Sequence, residues 1–435
     1  MPPEMLKSAA GPAAGSGGDI AGIVQDMLTR LANGGEDAAR QYARELDGWD
    51  GDIVITGDQI EAASAALPEA LKSEIRYAHD NIRAFARAQR ASAQDFEVEL
   101  RPGLIAGQRQ IPLDTAGCYV PGGRYAHVAS ALMTITTARA AGVRHVVSCS
   151  PPRPGQGIPA AVLFAMALAG ADTILTLGGV QGVAAMAQGL FGAPAADILV
   201  GPGNRYVAEA KRQLFGPLGI DLIAGPTDVM ILGDATADPE TVAWDLAGQA
   251  EHGRDSPVWL VSDDRKLAEA VIGLVPQCIA QLPDLNRGQA LAAWEMLGEV
   301  ILCRDREEMA AVADSRAPEH LHVQAADLDW WKARLRTYGA LFLGANTTVA
   351  FGDKAAGPNH VLPTSGSARY TGGLSVHKFL KTVTWQTVGD QALPALARAS
   401  ATISRHEGME GHARTADIRL ARLGVTGKLA AGGSG

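Results

Sequence analysis

The sequence predicts an α/β fold: two Rossmann-like parallel-sheet domains with helical extensions at the N- and C-terminal ends. Short β-branched runs such as HVVSCS, TILTL and DILV alternate with helical stretches such as AAVLFAMALAG and YVAEAKRQLF, the pattern of βαβ units. The alternation comes in two successive series, which means two sheets with a cleft between them. Fifty glycines and only 5% aromatic residues suit closely packed layers joined by tight turns.

The 435 residues suffice for about two to four domains. With 47% hydrophobic and 20% charged residues the chain can bury a large core, which excludes disordered and fibrous classes. A net charge of −9 argues against a nucleic-acid partner, because phosphate binding needs a basic surface. No run approaches the ~18 apolar residues of a membrane span. Residues 1–18 are small and flexible, lack an apolar signal core, and read as a tail. Cys118, Cys149, Cys278 and Cys303 are far apart, with no CxxC pair, which points to a reduced, cytoplasmic protein.

In chain order, residues 19–90 read as helical, with a stop at Gly34 and Gly35. The first sheet domain is expected from 19–118 joined with 229–370, and the second from 119–228. In the later series VMIL, PVWLVS, EVILC, LHVQ and ALFLG are strands, and TVAWDLAGQAEHG, KLAEAVIGLV and REEMAAVADS are helices. Residues 371–435 read as mostly helical, including LSVHKFLKTV, and too short for a core of their own.

Two glycine-rich turns lie between a strand and a helix: Gly178, Gly179 and Gly182 in TLGGVQG, and Gly201, Gly203 and Asn204 in VGPGNR. Free N–H groups at such helix starts suit a pyrophosphate. Neither turn is a full GxGxxG, so a plain βα turn is an equal reading.

Gln249 and His252 are three apart and share a helix face near a terminating glycine. A surface pair is the commoner meaning of that spacing. Asp353, His360, Glu407 and His412 lie in later loops or helices, and Gln, Asp and His together suit Zn²⁺. Spacing alone does not join them. In APEHLHV, Glu319 and His320 are adjacent and can share a site only if the loop turns there. The sharp reading is acid–base chemistry; the bland one is a connector with a solvated Glu.

Taken in order, GCYVPGG, GPGNRYVAEAKRQ, AGPTDV, DLAGQAEHG, APEHL, GDKAAGPNHVLPT and EGMEGHA resemble the histidinol dehydrogenase family across roughly residues 19 to 425. The resemblance implies zinc, NAD and a homodimer with shared active sites, with 371–435 as the dimerising segment. It implies zinc on Gln249, His252, Asp353 and His412, the last from the partner chain. It makes His320 the base and Glu319 the residue that activates water, in two successive oxidations of one carbon. His360 and Glu407 match substrate contacts; Tyr119, Gln181 and Asn204 match cofactor contacts.

Some residues depart from the histidinol enzymes. Arg124 follows the YVPGG stretch, His377 and Lys378 replace an acidic neighbourhood, and Thr227 stands for Ser. Added basic residues would repel cationic histidinol and suit an anion. These variants resemble the sulfopropanediol dehydrogenase branch, which implies oxidation of (R)-2,3-dihydroxypropane-1-sulfonate to 3-sulfolactate. Arg124, His127 and Lys378 are then candidates for the sulfonate, with Thr227 as a further substrate contact. L-Histidinol oxidation, or a non-catalytic zinc- and nucleotide-binding protein, are the alternatives.

Overall fold

The computed structural model describes residues 2–11, 19–122, 126–223 and 225–424. Strand β1 (Glu4–Lys7) precedes helices α1 (Ile20–Tyr42), α2 (Gly57–Ala65) and α3 (Glu69–Ser92), and strands β2 (Phe96–Arg101) and β3 (Leu104–Pro112) follow. One alternating series is β4 (Thr115–Tyr119), α4 (Val128–Ala141), β5 (His145–Ser150), α5 (Ala160–Ala169), β6 (Thr173–Thr176), α6 (Gly179–Gln188), β7 (Ile198–Val200), α7 (Arg205–Leu214) and β8 (Gly219–Ile220). The other runs β9 (Val229–Gly233), α8 (Pro239–Ala250), β10 (Val258–Ser262), α9 (Arg265–Ala280), α10 (Asp284–Leu297) and β11 (Glu299–Leu302). It continues through α11 (Arg306–Arg316), β12 (His320–Gln324), α12 (Leu328–Arg334), β13 (Ala340–Leu343) and α13 (Val349–Lys354). Strand β14 (Leu380–Val388) and helices α14 (Leu393–His406) and α15 (Glu410–Arg422) come last.

The two series form two sheets, as expected. The first is five-stranded, in the order β6-β5-β4-β7-β8, and every pair in it is parallel. The second is six-stranded, β1-β11-β10-β9-β12-β13, parallel except where β1 meets β11. Helices cover the strands, so β4 and β9 are buried along their whole length. That is why those segments read as unbroken apolar or small runs rather than alternating ones.

Four helices that follow strands of the six-stranded sheet begin on an acidic cap. Asp238, Asp264, Asp305 and Asp327 each accept a backbone N–H in the first turn of α8, α9, α11 and α12. The expected stop at Gly34–Gly35 is a kink instead: Gly35 takes φ 51 and ψ −133, and α1 resumes on its far side.

The chain divides into two compact units, Met1–Arg90 with Pro112–Phe379, and Ala91–Ile111 with Leu380–Gly435. Both parallel sheets belong to the first. In the second, β14, β3 and β2 form a three-stranded sheet, and α14 and α15 bury Ala397, Ala401, Ala413, Ala416 and Leu420 between them. This corrects the helical reading of LSVHKFLKTV. Only a short 3-10 turn, Val376–Phe379, is helical there, and β14 follows it directly. The run KTVTWQTV is rich in β-branched residues, which favour a pleated strand over a helix. Among the described residues no helix is long and apolar enough to cross a membrane.

Candidate active site

The chain does turn before β12. Ala317 ends α11 in the left-handed region at φ 53, and Glu319 and His320 both go inside, 6% and 2% exposed. The solvated-Glu reading is therefore wrong. Glu319 Oε2 accepts from the Thr227 hydroxyl at 2.5 Å and from the Asp228 N–H at 3.1 Å, while the Glu319 N–H donates to Asp228 Oδ1 at 2.7 Å. These bonds tie together the N-terminal ends of neighbouring strands β9 and β12.

His320 Nδ1 lies 2.9 Å from the Asp228 carbonyl oxygen, which can only accept, so Nδ1 carries the proton. That leaves Nε2 as the basic nitrogen of the neutral ring. Among the described residues Nε2 has no hydrogen-bond partner, and it lies 3.5 Å from Asp353 Oδ1. Burial alone would lower the His320 pKa, but the carboxylates of Glu319 and Asp353 outweigh it and raise it to about 9. Burial raises Glu319 to about 7 against the opposing pull of His320. Asp353, although buried, is held well below the usual carboxylate range by the neighbouring His320.

Around this pair the fold gathers further donors. Gln249, from the last turn of α8, donates to the Thr227 hydroxyl oxygen at 3.1 Å. His252 lies just beyond that helix, with Nε2 3.8 Å from Asp353 Oδ2. His360 donates from Nδ1 to the Asp353 carbonyl oxygen at 2.9 Å, so its Nε2 accepts from the Ser130 hydroxyl at 3.0 Å. Burial lowers His252 and His360, and lowers His127, at the start of α4, to about 4. Lys354 adds a positive charge that depresses all three imidazoles.

Gln249, His252, Glu319, His320, Asp353 and His360 thus converge, although 111 positions separate the first and last (360 − 249). Asp228, Ser130 and Lys354 also belong here and were not singled out from sequence. Asp228 and Lys354 lay in AGPTDV and GDKAAGPNHVLPT beside a residue that was, and Ser130 lies three residues after His127. Thr227 is engaged with Glu319 and Gln249. Lys378 donates to the Thr371 hydroxyl oxygen at 3.2 Å, and no bond ties it to the imidazole cluster among the described residues. Arg124 lies outside the described residues. Glu407 caps α14 and His412 lies in α15, both exposed and both in the second unit.

The five-stranded sheet supplies a separate feature. In chain order its strands run third, second, first, fourth, fifth, so the topology reverses between β4 and β7. Ligands of such sheets bind outside the C-terminal ends of the strands at that reversal. Tyr119 ends β4 and Asn204 follows β7, on either side of it. Gln181 lies in the first turn of α6, and the Gly179 N–H donates to the Tyr119 hydroxyl oxygen at 3.1 Å. Gly201, at φ 113, packs so closely that a Cβ there would overlap the Tyr119 carbonyl oxygen.

Some of the expected N–H groups are already engaged within the protein. The Gly178 N–H donates to Asp47 Oδ2 at 3.0 Å, and Gln181 Nε2 donates to the same oxygen at 2.9 Å. Asn204 Oδ1 takes the N–H groups of Tyr206 and Val207 at 3.0 and 3.1 Å. Asn204 thus caps the start of α7, while at α6 the Gly178 N–H ahead of the first turn is the group that Asp47 takes.

The model of one family, described as histidinol dehydrogenase, matches residues 13–420. The chain belongs to the histidinol dehydrogenase family. A histidinol dehydrogenase homolog of Ruegeria pomeroyi is 71% identical over 97% of this chain and 98% of its own length. The sulfopropanediol 3-dehydrogenase of the same organism is 58% identical over 96% of each chain. The crystal structure of histidinol dehydrogenase from Elizabethkingia anophelis superposes with a TM-score of 0.91 at 30% identity, covering 96% of this chain and 95% of that one. Membership makes the protein a dehydrogenase, and the converging His, Glu and Asp side chains are the candidate centre of that chemistry.

Proposed function

We propose that the protein is a zinc-containing, NAD-dependent dehydrogenase that oxidises (R)-2,3-dihydroxypropane-1-sulfonate to 3-sulfolactate through a bound aldehyde. The observation that carries the reading is the buried Glu319–His320 pair, with a basic nitrogen that no protein donor occupies. In the neutral form of its ring, His320 takes the proton of the substrate hydroxyl at Nε2. Glu319, raised to about 7, is poised to take a proton from water when the aldehyde is hydrated. The Thr227 and Asp228 bonds fix that carboxylate, and Ser130 and Asp353 fix the ring of His360 as a substrate contact.

Among the described residues no group of three His, Cys, Asp or Glu forms a metal shell by itself. The donor chemistry nevertheless fits zinc. An amide from Gln249, the partly exposed imidazole of His252 with its pKa lowered, and an ionised carboxylate at Asp353 form a borderline-hard set. His412 of the partner subunit would complete it. When bound, zinc would orient and polarise the alcohol oxygen, and NAD would supply the oxidising equivalents. A homodimer with shared sites also suits the second unit, where Phe96, Val98 and Leu100 alternate along β2 and are all exposed.

The anionic substrate rests on charge. His127 enters the site neutral, so it serves as a hydrogen-bonding group; Lys354 is the cation beside the imidazoles. The relative named sulfopropanediol 3-dehydrogenase supports this reading. L-Histidinol oxidation is the second reading, favoured by the name of the solved structure that superposes over nearly the whole chain. The free, buried cysteines agree with a cytoplasmic setting.

The test is NADH formation by zinc-loaded protein given each substrate separately. Turnover of the sulfonate alone, with two NADH per molecule, is the expected result. Turnover of histidinol alone would sink the assignment.

A further inference from the structure

We infer that Asp47 selects the coenzyme: with Gln181 it forms a pair of acceptors for the ribose hydroxyls of an unphosphorylated dinucleotide, and it excludes a 2′-phosphate. This rests on the NAD reading above and extends it to a residue in the N-terminal helical segment.

Asp47 closes a single π-helical turn, Ala43–Asp47, after which Gly48 turns back at φ 63. The turn carries its carboxylate to the start of α6, where Oδ2 accepts from the Gly178 N–H and from Gln181 Nε2. Position 178 has to be glycine for this, since a Cβ there would come within 2.7 Å of Asp47 Oδ1. Neither Lys nor Arg pairs with Asp47 among the described residues, and no donor bonds to its Oδ1. Gln181 is 1% exposed, yet its Oε1 is buried without a hydrogen-bond partner among the described residues. That oxygen would lie 3.1 Å from a Cβ on Gly179, so it faces the same helix start.

The open Asp47 Oδ1 and the buried Gln181 Oε1 suit a ligand that brings donors. A pyrophosphate brings none and would meet a carboxylate across the helix start it normally occupies. A vicinal diol brings two adjacent hydroxyls. NADP replaces one of them with a dianion, which loses a bond and places like charges together. The position agrees with this. Tyr119, which bonds Gly179, carries the site to the crevice edge at β4.

Isothermal titration with NAD, NADP and 2′-deoxyadenosine-NAD, without any alcohol, tests the inference. Unaltered protein should bind the 2′-deoxy analogue about ten-fold or more weakly than NAD, as expected for a lost bond to a charged group. It should prefer NAD over NADP. In Asp47→Asn that preference should fall about ten-fold or more, through weaker NAD and tighter NADP binding. Asp47→Ser, which can still cap a helix, provides the same comparison if the Asn variant does not fold. Equal affinity for NAD and its 2′-deoxy analogue, or an unchanged preference in a folded variant, would overturn the role of Asp47. Unaltered protein that binds none of the three coenzymes would instead overturn the NAD reading itself.

Discussion

Replacing Lys211 by Met should destabilise the first unit by about 3 kcal/mol, the lower end of the roughly 3–5 kcal/mol seen when one member of a buried ion pair is removed. Lys211 lies in α7, and its ammonium donates to Asp221 and, at 3.0 Å, to the Gly201 carbonyl oxygen. The two side chains are 3% and 0% exposed. Methionine keeps the length and the apolar stem, so little packing is lost. What remains is a buried carboxylate facing only the N–H groups of Gly201 and Leu222, at 2.7 and 2.6 Å. Those two bonds to a charged acceptor hold the loss at the lower end of the range. At about 2.1 cal/mol/K of unfolding entropy per residue, a unit of about 360 residues shifts by roughly 1.3 °C per kcal/mol, so the Tm should fall by about 4 °C. Circular dichroism melts of the single variants and of Lys211→Met with Asp221→Asn would measure it. The double variant should cost less than the sum of the singles by about 1–3 kcal/mol. A single-variant loss below about 1 kcal/mol, or strict additivity, would refute the claim that this pair holds the Gly201–Asn204 turn.

Glu319→Gln should slow aldehyde hydration by about 10²–10⁴-fold and spare the first oxidation more, so NADH per sulfonate should drop from two towards one; an unchanged ratio would remove Glu319 from the second step. In metal-free protein, NMR should show His320 titrating near pH 9, with the ring charged below that value and neutral above it. Zinc should move that midpoint down, because a cation at Asp353 disfavours the charged ring; no movement would place the metal elsewhere. Asp264→Ala should cost about 1 kcal/mol of stability by removing the cap of α9, with kcat/KM unchanged, since it lies far from the His320 end of the sheet.

The two sheets were legible because their strands are buried on both faces and separated by helices with clear starts. The second unit was not. Strand β2 is exposed along its length and β3 is mostly half-buried, so neither reads as a buried apolar run, and β14 follows a run whose LSVHKF portion mimics a helix. At the site, the sequence offered the right residue types, but not the turn at Ala317 that sends Glu319 and His320 inward together. Nor could it show Asp228 bracing both of them, because adjacency of β9 and β12 arises from sheet order, not from separation along the chain. Asp47 was the least visible of all: 131 residues separate it from Gly178, and no motif surrounds it.

The six-stranded sheet uses its two edges for different purposes. Glu319, His320 and Asp228 lie where β12 and β9 begin, whereas Asp264, Asp305 and Asp327 cap helices just after β10, β11 and β12 end. Chemistry and folding are therefore placed at opposite rims of one slab. An engineer could improve caps, shorten loops or add stabilising charges along the far rim while leaving the reactive rim alone. Natural drift could do the same, so heat tolerance and substrate choice in this chain can change through separate sets of substitutions.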